Sequence, residues 1–228
     1  MEGCSKTAIS RDKSYYFEEV KFIRDRVHGY IYLTRFELEL IDTKEFQRLK
    51  DIRQLTCQHV YPGARHTRFE HSLGVMHLTK QVLKNLNDNG FIAGAPVEID
   101  VSQTPLINDQ LRLNATLAAL LHDVGHCPFS HLGESQFNQD EVWSALCDKI
   151  KMRVEEAEEK NISFLLDDST LLQEIEEINK KVKKRPGASH EQMSCLMILD
   201  KFYDYLMSVK EPHNSEKHRS EERRVGKE

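Results

Sequence analysis

Hydrophobic positions follow a helical period over most of the chain. Apolar residues recur at intervals of three and four across residues 35–57, 68–86 and 189–207. Residues 20–33 instead alternate, are rich in β-branched and aromatic side chains, and contain Gly29 as a turn residue, which predicts a short strand pair. We therefore expect an all-α fold with a short N-terminal β-strand pair.

Two stretches refine this pattern. Asp42 and Thr43 interrupt the first helical stretch and are expected to cap a second helix before Phe46. The segment 111–125 carries apolar residues on nearly every face, which predicts a core helix that continues to the glycine at its end. Residues 91–110 contain two prolines and mixed polarity, and are expected to form the loop before it.

Shifts in composition divide the chain into three parts. Residues 1–19 are polar and predict a flexible N-terminus, and residues 20–207 carry the helical pattern of one domain. Within that domain, residues from about 140 to 185 are dense in glutamate and lysine, which predicts a charged helical insertion. Residues 208–228 are charged and nearly devoid of apolar residues, which is typical of a disordered tail.

Composition excludes several classes of protein. No apolar run approaches the roughly 18 to 20 residues that cross a bilayer, and the N-terminus lacks a signal-peptide core, so no membrane partner is expected. The net charge of -5 does not support single-stranded nucleic acid as a partner. The five cysteines form no CxxC pair, which argues against a thiolate zinc site or a disulfide framework. We expect an intracellular protein, cytoplasmic or nuclear.

Polar residues cluster at the end of the most apolar segment. His122 and Asp123 stand side by side there, and His126 and His131 follow within ten residues. Burying such groups is costly unless each has a partner, and a divalent cation suits both imidazole and carboxylate. His122 and His126 would share a helix face if the helix continued through Gly125. The alternative is that these histidines have a structural role and interact favourably with the dipole at the C-terminus of a helix.

A second polar cluster opens the helix predicted at residues 68–86. His71 lies about three residues into that helix, and Arg68 projects to the same side one turn earlier. A metal-binding histidine beside an arginine would suit a phosphate-bearing substrate. A surface arginine and a core histidine are an equally good explanation of this pair taken alone. A third piece, His190, stands at a helix start with Ser189 as N-cap and Gln192 at the third helical position.

These three groups of residues, in their order along the chain, resemble the motifs of the HD-domain phosphohydrolases, and among them those of the dNTP triphosphohydrolases. The resemblance covers roughly residues 20–135 and 188–205. The matching text lies at Asp25 to Gly29, Ile41 to Leu49, Ile52 to Leu55, Tyr61 to Ala64, Arg68 to Val75, Leu121 to His131, and His190 to Gln192.

The resemblance implies an HD-domain helical fold and a divalent metal site at His71, His122 and Asp123, with Mg²⁺, Mn²⁺, Fe²⁺ and Zn²⁺ not distinguished. It implies that Arg68 grips phosphate oxygens. The implied reaction is attack of a metal-activated water on a dNTP, releasing a deoxynucleoside and triphosphate. The residues that the resemblance assigns to the chemistry itself are His126, His131, Glu134 and His190.

The resemblance also implies regulation. In the family a guanine nucleotide or dNTP effector binds beside the N-terminal strand and bridges subunits of a homo-oligomer, a dimer or tetramer. The matching positions here are Lys21, Asp42, Gln47 and Lys50. Lys50 replaces an arginine and loses its bidentate fork, so we expect weakened or absent activation by guanine nucleotides.

One departure from the family pattern bears on activity. The fourth metal ligand of the family is an aspartate far downstream, and this chain looks C-terminally truncated before it. We therefore expect weak metal binding and slow dNTP hydrolysis by this chain alone, with Asp200 or Asp204 as the substitute ligand if it proves fully active. The alternatives are a non-catalytic or weakly active nucleotide-binding fragment, or another HD-domain nucleotide phosphohydrolase.

Overall fold

The computed structural model describes residues 13–55, 60–61, 63–89, 107–159 and 189–207. Helices dominate these residues, and they include one antiparallel strand pair near the N-terminus, so the expected fold class is confirmed. In chain order the elements are α1 (Lys13–Phe17), β1 (Glu19–Asp25), β2 (Gly29–Thr34), α2 (Arg35–Ile41), α3 (Lys44–Gln47), a 3₁₀ turn (Arg48–Asp51), α4 (Arg68–Asn89), α5 (Asp109–Leu121), α6 (His131–Glu134), α7 (Gln139–Glu159), α8 (His190–Met197), a π-helical segment (Ile198–Phe202) and α9 (Tyr203–Met207).

The strand pair closes one side of the helical core. Ile23 of β1 faces Ile31 of β2, and Ile31 and Leu33 are fully buried against the helices. Gly29 begins β2 with a φ of +74°, in the left-handed region that glycine adopts without strain. The alternating pattern of residues 20–33 therefore predicted both the strands and their turn.

Side-chain caps fix where α2 and α3 begin. Thr34 and Glu37 form a reciprocal capping box at the start of α2. Thr43 accepts a hydrogen bond from the backbone N–H of Phe46 and caps α3, as the sequence predicted. Asp42 instead ends α2. This break turns the chain so that both short helices place an apolar side against the core.

The core forms where α4 and α5 pack against each other and against the N-terminal elements. Its side chains come from almost every described element, so that one apolar cluster supports both polar clusters found in the sequence. Its largest fully buried members are Phe36, Phe46, Phe202, Ile31, Leu33, Leu40, Leu49, Met76, Leu120 and Leu121.

The predicted core helix at 111–125 differs from the observed α5 in two ways. Asn108 caps α5, so the helix begins at Asp109, inside the expected loop. The helix ends at Leu121, and residues 122–125 form a turn, so it does not reach Gly125. Burial is also one-sided, because Leu111 is 52% exposed whereas Leu120 is fully buried. The apolar run thus combines a helix with a buried turn.

A described helix begins before residue 20. Tyr16 of α1 is buried in the core cluster, contrary to the flexible N-terminus expected up to residue 19. Helix α7 occupies the first part of the expected insertion, whereas residues 160–185 and the expected tail at 208–228 lie outside the described residues. Among the described helices, none has the length and apolarity required to span a membrane.

Two leucines of α5 provide a matched test of this core. We expect Leu120→Ala to lower the free energy of unfolding by about 2–5 kcal/mol, because it leaves a cavity at a fully buried position. Leu111→Ala, on the exposed side of the same helix, should change it by less than about 0.5 kcal/mol. Urea denaturation followed by circular dichroism measures both, and equal effects would contradict the one-sided burial of α5.

Candidate metal centre

The first turn of α4 is held by backbone and side-chain hydrogen bonds. The N–H of Arg68 donates to the carbonyl of Ile52 at 2.8 Å, which ties the helix start to the end of the 3₁₀ turn. Glu70 accepts from the backbone N–H of Thr67 at 2.5 Å and from its hydroxyl at 3.1 Å. Because the helix start is fixed in this way, Arg68 and His71 occupy one side of α4, one turn apart.

The turn after α5 presents the second pair of residues. His122 directly follows the helix, and its Nδ1 donates to the carbonyl of Ala119 at 2.8 Å. A carbonyl only accepts, so Nδ1 carries a proton, and in the neutral ring Nε2 of His122 keeps its lone pair. Asp123 is 1% exposed, and its carboxylate lies near the ring of His122. The turn therefore offers one imidazole nitrogen and one carboxylate as ligand atoms.

The three residues that the resemblance assigns to a metal site, His71, His122 and Asp123, lie together across a gap of about fifty residues. Nε2 of His122 lies 3.3 Å from Nε2 of His71. The Asp123 carboxylate lies 3.5 Å from His122 Nε2 and 3.7 Å from His71 Nε2. Their ligand atoms all fall within 4.8 Å of one another, and two nitrogens with one carboxylate oxygen form a donor set that suits a divalent transition metal.

Arg68 is part of this site through Asp123. Its Nη1 donates to Asp123 Oδ2 at 2.8 Å and its Nη2 to the hydroxyl of Ser130, and the side chain is 3% exposed. Burial by itself would raise the pKa of Asp123, but the hydrogen bond from Arg68 and the neighbouring positive charges outweigh it and lower that pKa. The carboxylate stays charged and available as a ligand.

A second group of ligand atoms lies beside that of His71, His122 and Asp123. Its four residues are called the second cluster below. Oε1 of Glu134 accepts hydrogen bonds from Nδ1 of His131 and from Nδ1 of His190, each at 2.8 Å. The reciprocal capping box of Ser189 and Gln192, which the sequence predicted, sets the start of α8 and thereby the position of His190. The ligand atoms of His126, His131, Glu134 and His190 lie within 4.8 Å of one another.

His126 is the most enclosed member of the second cluster. Its ring is fully buried and stacks on the ring of His190, with centroids 4.4 Å apart and planes 13° from parallel. Neither ring nitrogen has a hydrogen-bond partner among the described residues. Burial, followed by the charge of Arg68, lowers the pKa of His126 to about 3, so the imidazole is neutral near pH 7.

The two clusters share Asp123. The Oδ1 atom of this residue lies 3.8 Å from Nε2 of His190 and 4.0 Å from Nε2 of His126. A model of the HD domain family matches residues 68–224, a stretch that includes both clusters.

The chain belongs to the HD domain family.

Curated relatives add to this assignment. The chain is 43% identical over 113 residues to uncharacterized protein MJ1154 of Methanocaldococcus jannaschii, covering 49% of this chain and 20% of that protein. It is 37% identical to deoxynucleoside triphosphate triphosphohydrolase SAMHD1 of Bos taurus over 121 residues and of Homo sapiens over 130 residues. These alignments cover 53% and 57% of this chain. The aligned part spans about a fifth of the length of these relatives, 18% of the bovine and 19% of the human protein.

The turn at residues 122–125 is held by two residues that no sequence motif indicated. The guanidinium of Arg48 donates to the carbonyls of Val124 and His126, the latter at 2.6 Å. The hydroxyl of Ser194 accepts from the N–H of Gly125 at 2.9 Å. Both residues lie more than 65 positions from the turn, so no local pattern in one sequence could have identified them.

Gly125 is required in this turn by close packing against α8. A Cβ at this position would lie 2.1 Å from the backbone nitrogen of Ser194 and 2.3 Å from the carbonyl carbon of Met193. Such contacts are impossible for any residue with a side chain unless the backbone moves. The glycine that was expected to stop a helix instead admits a neighbouring backbone.

The residues expected to bind an effector lie on the elements that precede α4. Gln47 accepts a hydrogen bond from Lys50 at 2.5 Å and donates to the carbonyl of Ile41 at 2.7 Å. Lys21 in β1 and Asp42 after α2 are exposed. Lys50 and Gln47 are thus in direct contact, and the role of all four stays a prediction.

Asp200 and Asp204 lie in ion pairs outside both clusters. Asp200 contacts the ammonium groups of Lys149 and Lys201, each at 2.7 Å, which lower its pKa to about 2. Asp204 is largely exposed and lies 3.3 Å from Arg153. Neither carboxylate belongs to a group of ligand atoms within the described part of the chain.

The contacts of Arg48 predict a large effect on stability. Arg48→Ala leaves the carbonyls of Val124 and His126 without their charged donor, so we expect the free energy of unfolding to fall by about 2–4 kcal/mol. Arg48→Lys should recover less than half of this loss, because one ammonium lacks the guanidinium fork. Arg35→Ala, at an exposed position of α2, is the control. A loss of stability for Arg48→Ala no larger than that of the control would contradict the contact.

The low pKa of His126 predicts a pH effect on stability. His126 stays neutral in the fold, whereas in the unfolded chain it takes up a proton below its ordinary pKa of 6.5. Lowering the pH from 7 to 5 should therefore cost metal-free protein about 2 kcal/mol at this residue. Urea unfolding in EDTA should show a shallower decline for His126→Asn than for the unmodified chain. Parallel declines would mean that His126 is protonated in the fold.

Proposed function

We propose that this chain is the metal-binding part of a phosphohydrolase that cleaves dNTPs into deoxynucleoside and triphosphate. The observation that carries the proposal is the convergence of His71, His122 and Asp123 with the guanidinium of Arg68 in one place. Membership of the HD domain family and similarity to proteins named as deoxynucleoside triphosphate triphosphohydrolases support the same function.

His71, His122 and Asp123 are the residues that would hold a divalent cation. A cation held there supplies Lewis acidity, which polarises a phosphoryl oxygen and strengthens water as a nucleophile at neutral pH. The hydrogen bond from His122 Nδ1 to Ala119 fixes the tautomer that leaves Nε2 free to bind. The lowered pKa of Asp123 keeps its carboxylate charged for the same purpose.

Arg68 would bind the phosphate under attack. Its Nη1 lies on Asp123, whereas its Nη2 extends towards Ser130 and lies 3.4 Å from Nε2 of His131. A phosphate oxygen between the two clusters would therefore meet a guanidinium that is already oriented and needs no further ordering. Preorganised charge of this kind stabilises the negative charge that accumulates during phosphoryl transfer.

The second cluster, which consists of His126, His131, Glu134 and His190, would carry out proton transfer. Glu134 holds His131 and His190 through their Nδ1 atoms, so the Nε2 atoms of both rings face away from the carboxylate. The side chain of His131 is 62% exposed, and its Nε2, which faces the guanidinium of Arg68, would exchange a proton with a reacting oxygen. His126 stays neutral, which avoids a further positive charge beside Arg68.

We also propose a site for a regulatory nucleotide. A guanine nucleotide or dNTP effector would bind near Lys21, Asp42, Gln47 and Lys50 and would favour a dimer or tetramer. The hydrogen bond between Lys50 and Gln47 occupies the ammonium that would replace the family's arginine. We therefore propose that effector activation is weak.

The proposal is tested by incubating the purified chain with Mn²⁺ and each dNTP and measuring released triphosphate by ion chromatography. We expect slow turnover, and His122→Ala should reduce it by more than about 100-fold because a ligand is lost. His77→Ala is the matched control, since His77 lies on α4 outside both clusters. Metal and nucleotide binding without released triphosphate would favour the non-catalytic alternative instead.

A further inference from the structure

Ser130 directly precedes His131 of the second cluster and has an unusual backbone conformation. Its φ is +53° and its ψ is −142°, and it is the one non-glycine residue with a positive φ in the described part of the chain. Glycine enters this region freely, whereas a residue with a Cβ is strained there. A serine at a position that favours glycine indicates that its hydroxyl has a role that offsets the strain.

Hydrogen bonds to the backbone of Ser130 hold this conformation. Its N–H donates to the carbonyl of Cys127 at 3.0 Å. Its carbonyl accepts from the thiol of Cys127 at 2.8 Å and from the N–H of Gly133 at 3.0 Å. The thiol lies so close to α6 that a Cβ at Gly133 would be 2.5 Å from Sγ. These contacts engage the backbone of Ser130 and leave its hydroxyl to contact another side chain.

The hydroxyl of Ser130 is one of two strong acceptors that orient the guanidinium of Arg68. It accepts from Nη2, while the carboxylate of Asp123 accepts from Nη1 at 2.8 Å. The Nε atom of Arg68 has no hydrogen-bond partner among the described residues. Acceptors on two different nitrogens fix the plane of a guanidinium, whereas a single acceptor leaves it free to swing. Arg68 and Ser130 are each 3% exposed, so solvent does not readily supply a substitute acceptor.

The plane of this guanidinium also sets its position relative to the second cluster. Nη2 of Arg68 lies 3.4 Å from Nε2 of His131, the residue that follows Ser130. One short segment therefore carries both the acceptor that orients Arg68 and the imidazole beside it. A phosphate oxygen bound by Arg68 would keep its distance from His131 only while the guanidinium stays in this plane, and a misplacement of about 1 Å can lower a reaction rate about 100-fold.

We propose that Ser130 is a positioning residue, whose hydroxyl fixes the guanidinium plane of Arg68 and whose strained backbone places that hydroxyl. The consequence for catalysis rests on the proposed function, whereas the positioning itself needs neither a metal nor turnover. Ser130 acts through Arg68 and is assigned no contact with the substrate.

Two substitutions separate the hydroxyl from the strain. Ser130→Ala removes the acceptor and keeps the strain, whereas Ser130→Gly removes the acceptor and relieves the strain. We therefore expect Ser130→Gly to melt at a higher temperature than Ser130→Ala in EDTA, although both lose the same acceptor. Ser135→Ala, which removes an exposed hydroxyl after α6, is the matched control and should behave as the unmodified chain. A lower melting temperature for Ser130→Gly than for Ser130→Ala would overturn the role given to the strain.

NMR of the arginine side-chain nitrogens measures the positioning of Arg68 directly. A guanidinium held at both terminal nitrogens rotates slowly about its Cζ–Nη bonds and gives separate Nη1 and Nη2 signals. In EDTA we expect separate signals for the unmodified chain and for Ser135→Ala. In both Ser130 variants exchange between the two signals should be faster by about tenfold or more, because a hydrogen bond to a charged group is lost. Averaged signals in the unmodified chain, or unchanged exchange in Ser130→Gly, would overturn the proposal.

Measurement of triphosphate release with Mn²⁺ and a dNTP tests the consequence for catalysis. Both Ser130 variants should lower kcat by about tenfold or more, and lower it more than they raise KM, because a misoriented guanidinium stabilises the transition state less well. Faster guanidinium exchange with unchanged kcat would overturn the catalytic importance of the positioning. An unmodified chain that releases no triphosphate would contradict the proposed function instead, and the NMR comparison would still decide the role of Ser130.

Discussion

The buried ion pair of Arg68 and Asp123 is the interaction on which the rest of the site depends. Both side chains are almost completely removed from water, and burying either charge alone would cost several kcal/mol. The pair joins the first turn of α4 to the turn after α5, two segments separated by 55 positions in the chain. Its formation therefore brings the two halves of the candidate site together and keeps the carboxylate ionised.

Asp123 also explains why two histidine clusters form one site. One carboxylate oxygen is engaged by Arg68 and lies near His71, whereas the other faces His122, His126 and His190. Imidazole groups at these distances would repel one another if several were protonated. The burial that holds His126 neutral, and the hydrogen bonds of Glu134 to its two histidine partners, limit that repulsion.

Patterns in the sequence predicted the features of the fold that depend on neighbouring residues. The strand pair, the Thr43 and Ser189 caps and the helix that begins at Arg68 were all legible in the sequence. The meeting of His71 with His122 followed from resemblance, because periodicity places each on its own helix only. The predicted end of α5 at Gly125 was wrong. The helix ends at Leu121, and the backbone of Gly125 packs instead against the distant backbone of α8. Arg48 and Ser194 hydrogen-bond to a turn that is distant in the sequence, so the residues next to them give no indication of this contact.

The contact between Gly125 and α8 joins two parts of the molecule directly through their backbones. With the backbone of the turn directly against the backbone of Met193 and Ser194, there is no side chain between them to absorb a displacement. A shift of α8 that moves His190 must carry Asp123 and His126 with it, unless the hydrogen bond of Ser194 breaks. The spacing between His190 and Asp123 is thus set by a direct backbone contact rather than by adjustable side chains.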